Sequence, residues 1–535
     1  MKLTRVKFEN YRRLADGELE VREHLVLVGA NDVGKSSLLR ALDLVLGATT
    51  AQLYANLSAD DFRVPTDDLV LEVELTDFSD DEKALFPDEI QVDPATSDSS
   101  LTIKLIATVD ASETISISRT APHGGTSRQL SRDQVAGLGW KFLGAISQTR
   151  DLREDRKSAL DDMLRAVDLA GEKAAFDAIS IQFQDQLDKS GLLGGLRQQL
   201  AQQLSKALPE KIDKDELSFV SGASADEDVL SDVRLQVSKG GVPHELSQQS
   251  DGTRALYAIA LYDLMSAGAN MVAIDEPEIH LHPTSQRSLA RLLKANSNQK
   301  IIATHSSDIV GAFDVDSIVV VRAGGEVVQP AVGVLNADQR TFVKWWVRDK
   351  LEPLTARRVI TVEGLSDRII LERVAELTDR HPDRLGASVI ETDGNGEIRA
   401  IANLFGPTGF DVPISRLIDA DAEQKIADLL GVTIADLPAN SVWVSRADLE
   451  DEYVKALGAD VVHGALVAGG QFSTGELANC VATGPSGSLT ESDVAKFCCH
   501  SKRKVRAALS VAPILTETSA VKITSIDGLL GEIAS

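Results

Sequence analysis

Residues 271–276, Met-Val-Ala-Ile-Asp-Glu, place two carboxylates at the end of an apolar run, and this limits the folds open to the chain. Four apolar residues in a row read as a strand buried on both faces, as in parallel sheets covered by helices. Polar residues at the C-terminal ends of such strands face the site crevice. Upstream, Gly29-Ala30-Asn31-Asp32-Val33-Gly34-Lys35-Ser36 fits the pattern GxxxxGK[ST] in full. An apolar run over 24–28 precedes it, and helical spacing over 34–46 follows. Gly29 and Gly34 let backbone N–H groups, with Asn31 and Ser37 beside them, turn toward phosphates at a helix N-terminus. Lys35 is predicted to reach the phosphates and the Ser36 hydroxyl to ligate Mg²⁺.

The rest of the nucleotide machinery follows in order. Asp275 is the expected Mg²⁺ holder and Glu276 the residue that polarises attacking water. Taken alone, the pair is also compatible with a solvated turn; the phosphate loop favours the site. His305 ends the apolar run Ile301-Ile302-Ala303-Thr304, where a γ-phosphate sensor is expected. The segment 246–254, containing Ser250 and Gly252, precedes an apolar helix and reads as a second phosphate-binding end or simply as a cap. These are the parts of an ATPase.

The chain has 535 residues, too many for one core, so two or three domains are expected. Its 43% hydrophobic and 25% charged content is that of a globular protein. No window has the ~20 consecutive apolar residues of a membrane span, and residues 1–8 lack the core of a secretion signal, so the cytoplasm is the expected location. Cys480, Cys498 and Cys499 offer no zinc spacing and are expected as reduced thiols. The net charge of −26 argues against indiscriminate coating of nucleic acid, though not against a local groove or metal-bridged contacts.

Strands are predicted at 3–9, 24–28, 69–75, 101–109 and 113–119. A helical stretch over 158–210 and a polar loop over 221–232 read as an insertion at about 155–235, an arm or a dimerisation element. A linker at 348–356, containing Pro353, divides an expected ATPase domain, 1–345, from a second domain, 356–535. The second domain alternates strand 358–362, helix 366–377, strand 387–391, helix 396–405 and strand 414–418.

That domain carries its own carboxylates at strand ends. Val359-Ile360-Thr361-Val362 leads into Glu363, and Leu417-Ile418 into Asp419-Ala420-Asp421. Converging carboxylates repel one another unless divalent metal neutralises them, and two metals about 4 Å apart suit in-line attack on a phosphodiester.

The segments over 1–345 resemble ABC-type ATPases, in the branch of the DNA-repair and chromosome-maintenance enzymes, with 246–254 at the signature segment and Glu276 to Pro283 as Walker B and D-loop. That resemblance implies a dimer in which Lys35 and the Ser250–Gly252 segment serve one ATP from opposite subunits. Gln52 and the run Asp60-Asp61-Phe62-Arg63 both stand as candidates for the coupling loop. The second domain resembles Toprim domains: Glu363 matches the family glutamate and Asp419/Asp421 its DxD. Asp367 would add a ligand, Asp448 and Glu450 could supply a second metal, and Lys502 or Lys504 could stabilise transition-state charge. An ABC-type ATPase with a helical insertion followed by an α/β Toprim domain resembles the OLD (overcoming lysogenisation defect) nucleases. The resemblance implies an ATP-binding DNA endonuclease using Mg²⁺ or Mn²⁺, two of them in the Toprim site. It also implies a role in bacterial antiphage defence, with or without a separate helicase-like protein. The alternatives are an ATP-driven DNA-binding clamp with an inactive Toprim fold and a Toprim topoisomerase or primase.

Overall fold

The computed structural model describes residues 1–110, 114–123, 128–144, 173–195, 268–349, 351–392 and 395–535, with scattered stretches between 198 and 266. They form two compact units: Met1, 3–131 and 303–535 make one, and Lys2 with 132–302 the other. Residues of both expected domains thus fall in the first unit. Most of the expected insertion lies outside the described residues. Its helix Lys173–Lys189 is described.

In the first unit, β1 (Lys2–Glu9) pairs antiparallel with β2 (Gly17–Glu20). The apolar run expected at 24–28 is β3 (Leu25–Val28), buried at every residue, and it delivers the chain to the phosphate loop. Helix α1 (Lys35–Leu46) buries Leu38, Leu39, Leu42 and Val45, the stripe its spacing predicts. Each such side chain contributes about 1.5–3 kcal/mol relative to exposure. The helix ends against the buried Arg119, which donates to the carbonyls of Leu44, Val45 and Ala48 at 3.3, 3.3 and 2.6 Å, satisfying acceptors that a helix end leaves open. Arg119 sits on β6 (Ile115–Thr120), which pairs with β5 (Ser99–Val109), itself paired with β4 (Leu69–Thr76). Further on, β7 (Ile318–Val321) lies parallel to β3, and α2 (Ala337–Asp349) follows.

The expected linker is not a free strand of chain. Residues Glu352–Thr355 form a helical turn in which Pro353 and Leu354 are buried. Proline near the first helical position is pre-organised for such a turn, so here it starts an element instead of breaking one.

The C-terminal part is a four-stranded parallel sheet. Strand β8 (Arg358–Val362) lies between β9 (Ala387–Glu391) and β10 (Ile414–Asp419), and β11 (Val442–Ser445) flanks β10. Helices α3 (Leu365–Leu377), α4 (Asn395–Phe405), α5 (Glu423–Leu430), α6 (Leu449–Leu457) and α7 (Lys504–Val511) surround it. A large apolar cluster containing Ile360, Val362, Ile370 and Leu417 covers one face. A smaller one containing Ile426, Ala427 and Val442, with Ile398 and Ile418, covers the other. From β8 the chain moves first to one side and then to the other, so the crevice beyond the carboxyl ends of β8 and β10 is the topological switch point.

In the second unit, Met271–Asp275 is fully buried and parallel to Trp140–Leu143. Short segments such as Gly17–Glu20 were not anticipated, because four residues carry too little periodicity.

Candidate active site

Carboxylates stand at or just beyond the ends of the strands around the switch point. Glu363 follows β8, Asp419 ends β10, and Asp448 stands three residues beyond β11, where it caps α6 by accepting from the Asp451 N–H at 2.8 Å. In the first turn of α6, Glu450 is 1% exposed. Asp367 is buried in the first turn of α3, where it accepts from the Gly364 N–H at 3.0 Å. Asp421 is exposed, on the turn after β10, and lines the same cleft as Glu363 and Asp419.

Lys504, the first residue of α7, joins these groups. Its Nζ lies 3.2 Å from Asp419 Oδ2, 3.7 Å from Glu450 Oε2 and 3.9 Å from Glu363 Oε2. Lys502 is exposed, outside the helix. Of the two lysines anticipated, the helix start at 504 brings Lys504 to the carboxylates. Asp419 is also fixed from its other oxygen by the Leu449 N–H at 3.2 Å.

The electrostatics are those of crowded acids. Burial, and then Asp367 and Asp448, push Glu450 up to about 7 against the pull of Lys504. Burial and then Asp419 push Asp367 up to about 6. Burial also raises Asp448. Partial burial, with Asp419 and Asp367, raises Glu363, whose side chain is still 62% exposed and free to be re-aimed. Burial works against the Lys504 charge, but Glu450, Asp419 and Glu363 more than offset it, and its pKa is raised.

As they stand, no three His, Cys, Asp or Glu side chains among the described residues are gathered closely enough to hold one ion. The donor set nevertheless fits Mg²⁺ or Mn²⁺, being all hard carboxylate oxygens. Glu450 Oε2 is buried with no hydrogen-bond partner, an acceptor that a cation would satisfy. A consequence is measurable. Between about pH 4.5 and 7 the folded chain binds more protons at Glu450 than the unfolded chain does, so its metal-free stability falls as pH rises through that window. Metal binding to the ionised groups would reverse the loss. Mn²⁺ should therefore raise Tm by several degrees at pH 8, taking about 2–4 °C per kcal/mol, and by much less at pH 5.5. An equal rise at both pH values would show that these carboxylates are not the ligands.

The phosphate loop is built as its glycines require. A Cβ at Gly29 would meet the Val321 carbonyl oxygen at 2.3 Å, and Gly34 has φ +122° with Leu14 against it. Lys35 is buried, and its Nζ donates to the loop carbonyls of Gly29 and Ala30 at 3.1 and 2.8 Å. Asn31 and Ser36 are exposed, Ser37 half-buried. His305 is exposed just after Thr304, whose N–H donates to the Leu27 carbonyl at 3.0 Å. Gln52 is engaged in a capping box with Thr49, and Asp61 is buried against Arg12.

In the second unit, Asp275 is buried at the strand end and Glu276 has φ +49°, an uncommon conformation for a non-glycine residue and one found at functional turns. Gly252 packs on the following loop, where a Cβ would meet the His280 carbonyl oxygen at 2.4 Å. Ser250 lies outside the described residues.

An ABC-type ATPase core with a C-terminal Toprim domain is the class these elements define. The chain belongs to the family described as "AAA domain, putative AbiEii toxin, Type IV TA system", which matches residues 25–311, more than half of the chain. Residues 354–421 match the "Overcoming lysogenization defect protein-like, TOPRIM domain". Among curated relatives, "Endonuclease GajA" of Bacillus cereus is 21% identical over 465 residues, 79% of this chain and 75% of that protein. "OLD nuclease" of Thermus scotoductus is 23% identical over 461 residues, 78% and 82%. The C-terminal region of the Burkholderia pseudomallei OLD protein is 26% identical, covering 34% of this chain and 97% of that one, at a TM-score of 0.28.

Proposed function

We propose that this chain is an ATP-regulated, divalent-metal-dependent DNA endonuclease. The observation that carries the reading is the convergence of Glu363, Asp419 and Glu450, from three segments, on Lys504 at the sheet's switch point. Two relatives named as nucleases, each aligned over more than three quarters of this chain, support it.

Glu363, Asp367, Asp419 and Asp421 would hold one Mg²⁺ or Mn²⁺, and Asp448 with Glu450 a second. Bound there, the metals would supply Lewis-acid stabilisation to an in-line displacement at phosphorus. Asp419 keeps its orientation through the Leu449 N–H. Lys504, held cationic by its neighbours, is placed to neutralise charge on a phosphate entering among the acids. Lys35, Ser36, Asp275, Glu276 and His305 would bind and hydrolyse ATP in a homodimer whose Ser250–Gly252 segment serves the partner's nucleotide. Among the described residues no helix is long and apolar enough to cross a membrane. A cytoplasmic role in bacterial antiphage defence, alone or with a helicase-like protein, fits the resemblance.

A topoisomerase needs a reactive tyrosine. Tyr453 is buried and its hydroxyl is held well above its ordinary pKa by burial, in no position to attack DNA. Supercoiled plasmid incubated with Mg²⁺ or Mn²⁺, with an EDTA control, separates the readings. Nicked or linear product is expected. Relaxed closed circles would indicate a topoisomerase, and binding without change a clamp.

A further inference from the structure

Strand β10 contributes to the site in two directions. Asp419 joins the acids, while Arg416, three residues earlier, points to the opposite face. Arg416 is 8% exposed, and among the described residues its guanidinium forms no ion pair and no hydrogen bond. Other arginines of the same domain are satisfied: Arg358 pairs with Glu532 at 2.7 Å and Arg380 with Asp527 at 2.5 Å. Burial alone pulls Arg416 down to about 10, which leaves it a cation at neutral pH. A buried charge without a partner is costly, and none of the described residues offsets the cost here.

The guanidinium lines a cleft of about 550 Å³ whose polar edge carries Glu363, Asp419 and Asp421. Thr361, its register partner on β8, lies beside it, and Ile398, Ile401 and Ile426 from α4 and α5 form apolar walls. A cleft of this size is in the range that holds a small organic ligand, and a planar cation beside apolar walls suits one with an anionic end and a flat apolar body.

We propose that this cleft is a nucleotide subsite of the Toprim domain, in which Arg416 binds a phosphate neighbouring the scissile one and the isoleucine walls take its sugar or base. The proposal rests on the nuclease reading for its biological ligand, but binding can be tested without cleavage. Arg416 and Asp419 are about 10 Å apart along the strand. A strand cleaved at the carboxylates would therefore be gripped at an adjacent nucleotide, which sets register as well as affinity.

The test uses the full chain in EDTA, in a Lys35→Ala background so that the phosphate loop does not compete. Calorimetric titration with dTMP should show binding, with thymidine and inorganic phosphate both weaker by tenfold or more. Arg416→Met should weaken dTMP binding at least tenfold, and Arg416→Lys by less. Because the arginine has no partner to lose among the described residues, Arg416→Met should leave Tm unchanged or raise it. Equal dTMP binding by Arg416→Met and its parent would overturn the proposal. So would inorganic phosphate binding as tightly as dTMP, or a marked fall in Tm in both Arg416 variants, which would indicate a structural role. Because no cleavage is read, a failure of the nuclease reading would appear separately, as intact plasmid with wild-type protein.

Discussion

Asp419→Ala should reduce metal-dependent DNA cleavage by roughly 10³-fold or more, about 4 kcal/mol of transition-state stabilisation. The size of the effect follows from position. Asp419 stands at the switch point with one oxygen fixed by the Leu449 N–H and the other facing Lys504 at 3.2 Å. Its removal would take a ligand from the proposed metals and, at the same time, takes the closest acidic partner from Lys504. The isosteric Asp419→Asn keeps an acceptor for Leu449 and loses the charge, so it should fold as the parent does and still fail to cut. Both variants should bind ATP normally, since the phosphate loop is built from other segments. Single-turnover cleavage of supercoiled plasmid, with ATP binding measured on the same preparations, checks this. Wild-type cutting by either variant would rule out the proposed site.

Much of this site was legible in the sequence because its elements are short, apolar and sharply ended. The strand expected at 358–362 is observed at Arg358–Val362, and that expected at 387–391 at Ala387–Glu391. Each ends where a carboxylate or turn interrupts the apolar run, and the phosphate loop was legible for the same reason. Position along the chain does not reveal which of two lysines reaches an acid. Lys502 and Lys504 differ in that α7 begins at the second of them. Nor could Arg416 be singled out. In Ile414-Ser415-Arg416-Leu417-Ile418 it reads as a polar break in a strand, exposed on one face by default. Its burial depends on α4 and α5 covering that face, a tertiary fact absent from the local pattern. Nor does Pro353 by itself show what form the linker takes: proline marks a break in a strand or helix interior but also starts a turn, and here it starts a turn with Leu354 buried.

Lys35→Ala should abolish measurable ATP binding yet leave DNA cleavage in place and indifferent to nucleotide. Glu276→Gln should bind ATP and hydrolyse it about 10²–10⁴-fold more slowly, the usual contribution of a group that activates water. If ATP acts on the carboxylates as proposed, the contacts that could carry the effect lie in the first unit. The phosphate loop abuts β7, since Gly29 sits where any Cβ would strike the Val321 carbonyl. The next residue, Arg322, donates to the carbonyls of Phe410 and Asp411, just beyond α4 in the Toprim domain. Helix α2 reaches the same helix through Trp346, edge-on to Phe405 at 5.8 Å. A shift of the loop on nucleotide binding would have a contiguous set of contacts, through one strand, to the helix that walls the cleft, and the coupling itself is what the next variant tests. Arg322→Ala should then keep both ATP binding and cleavage while losing the effect of ATP on the cleavage rate. An undiminished ATP response in Arg322→Ala would exclude this route, and any ATP response surviving in Lys35→Ala would mean that nucleotide acts somewhere other than the phosphate loop.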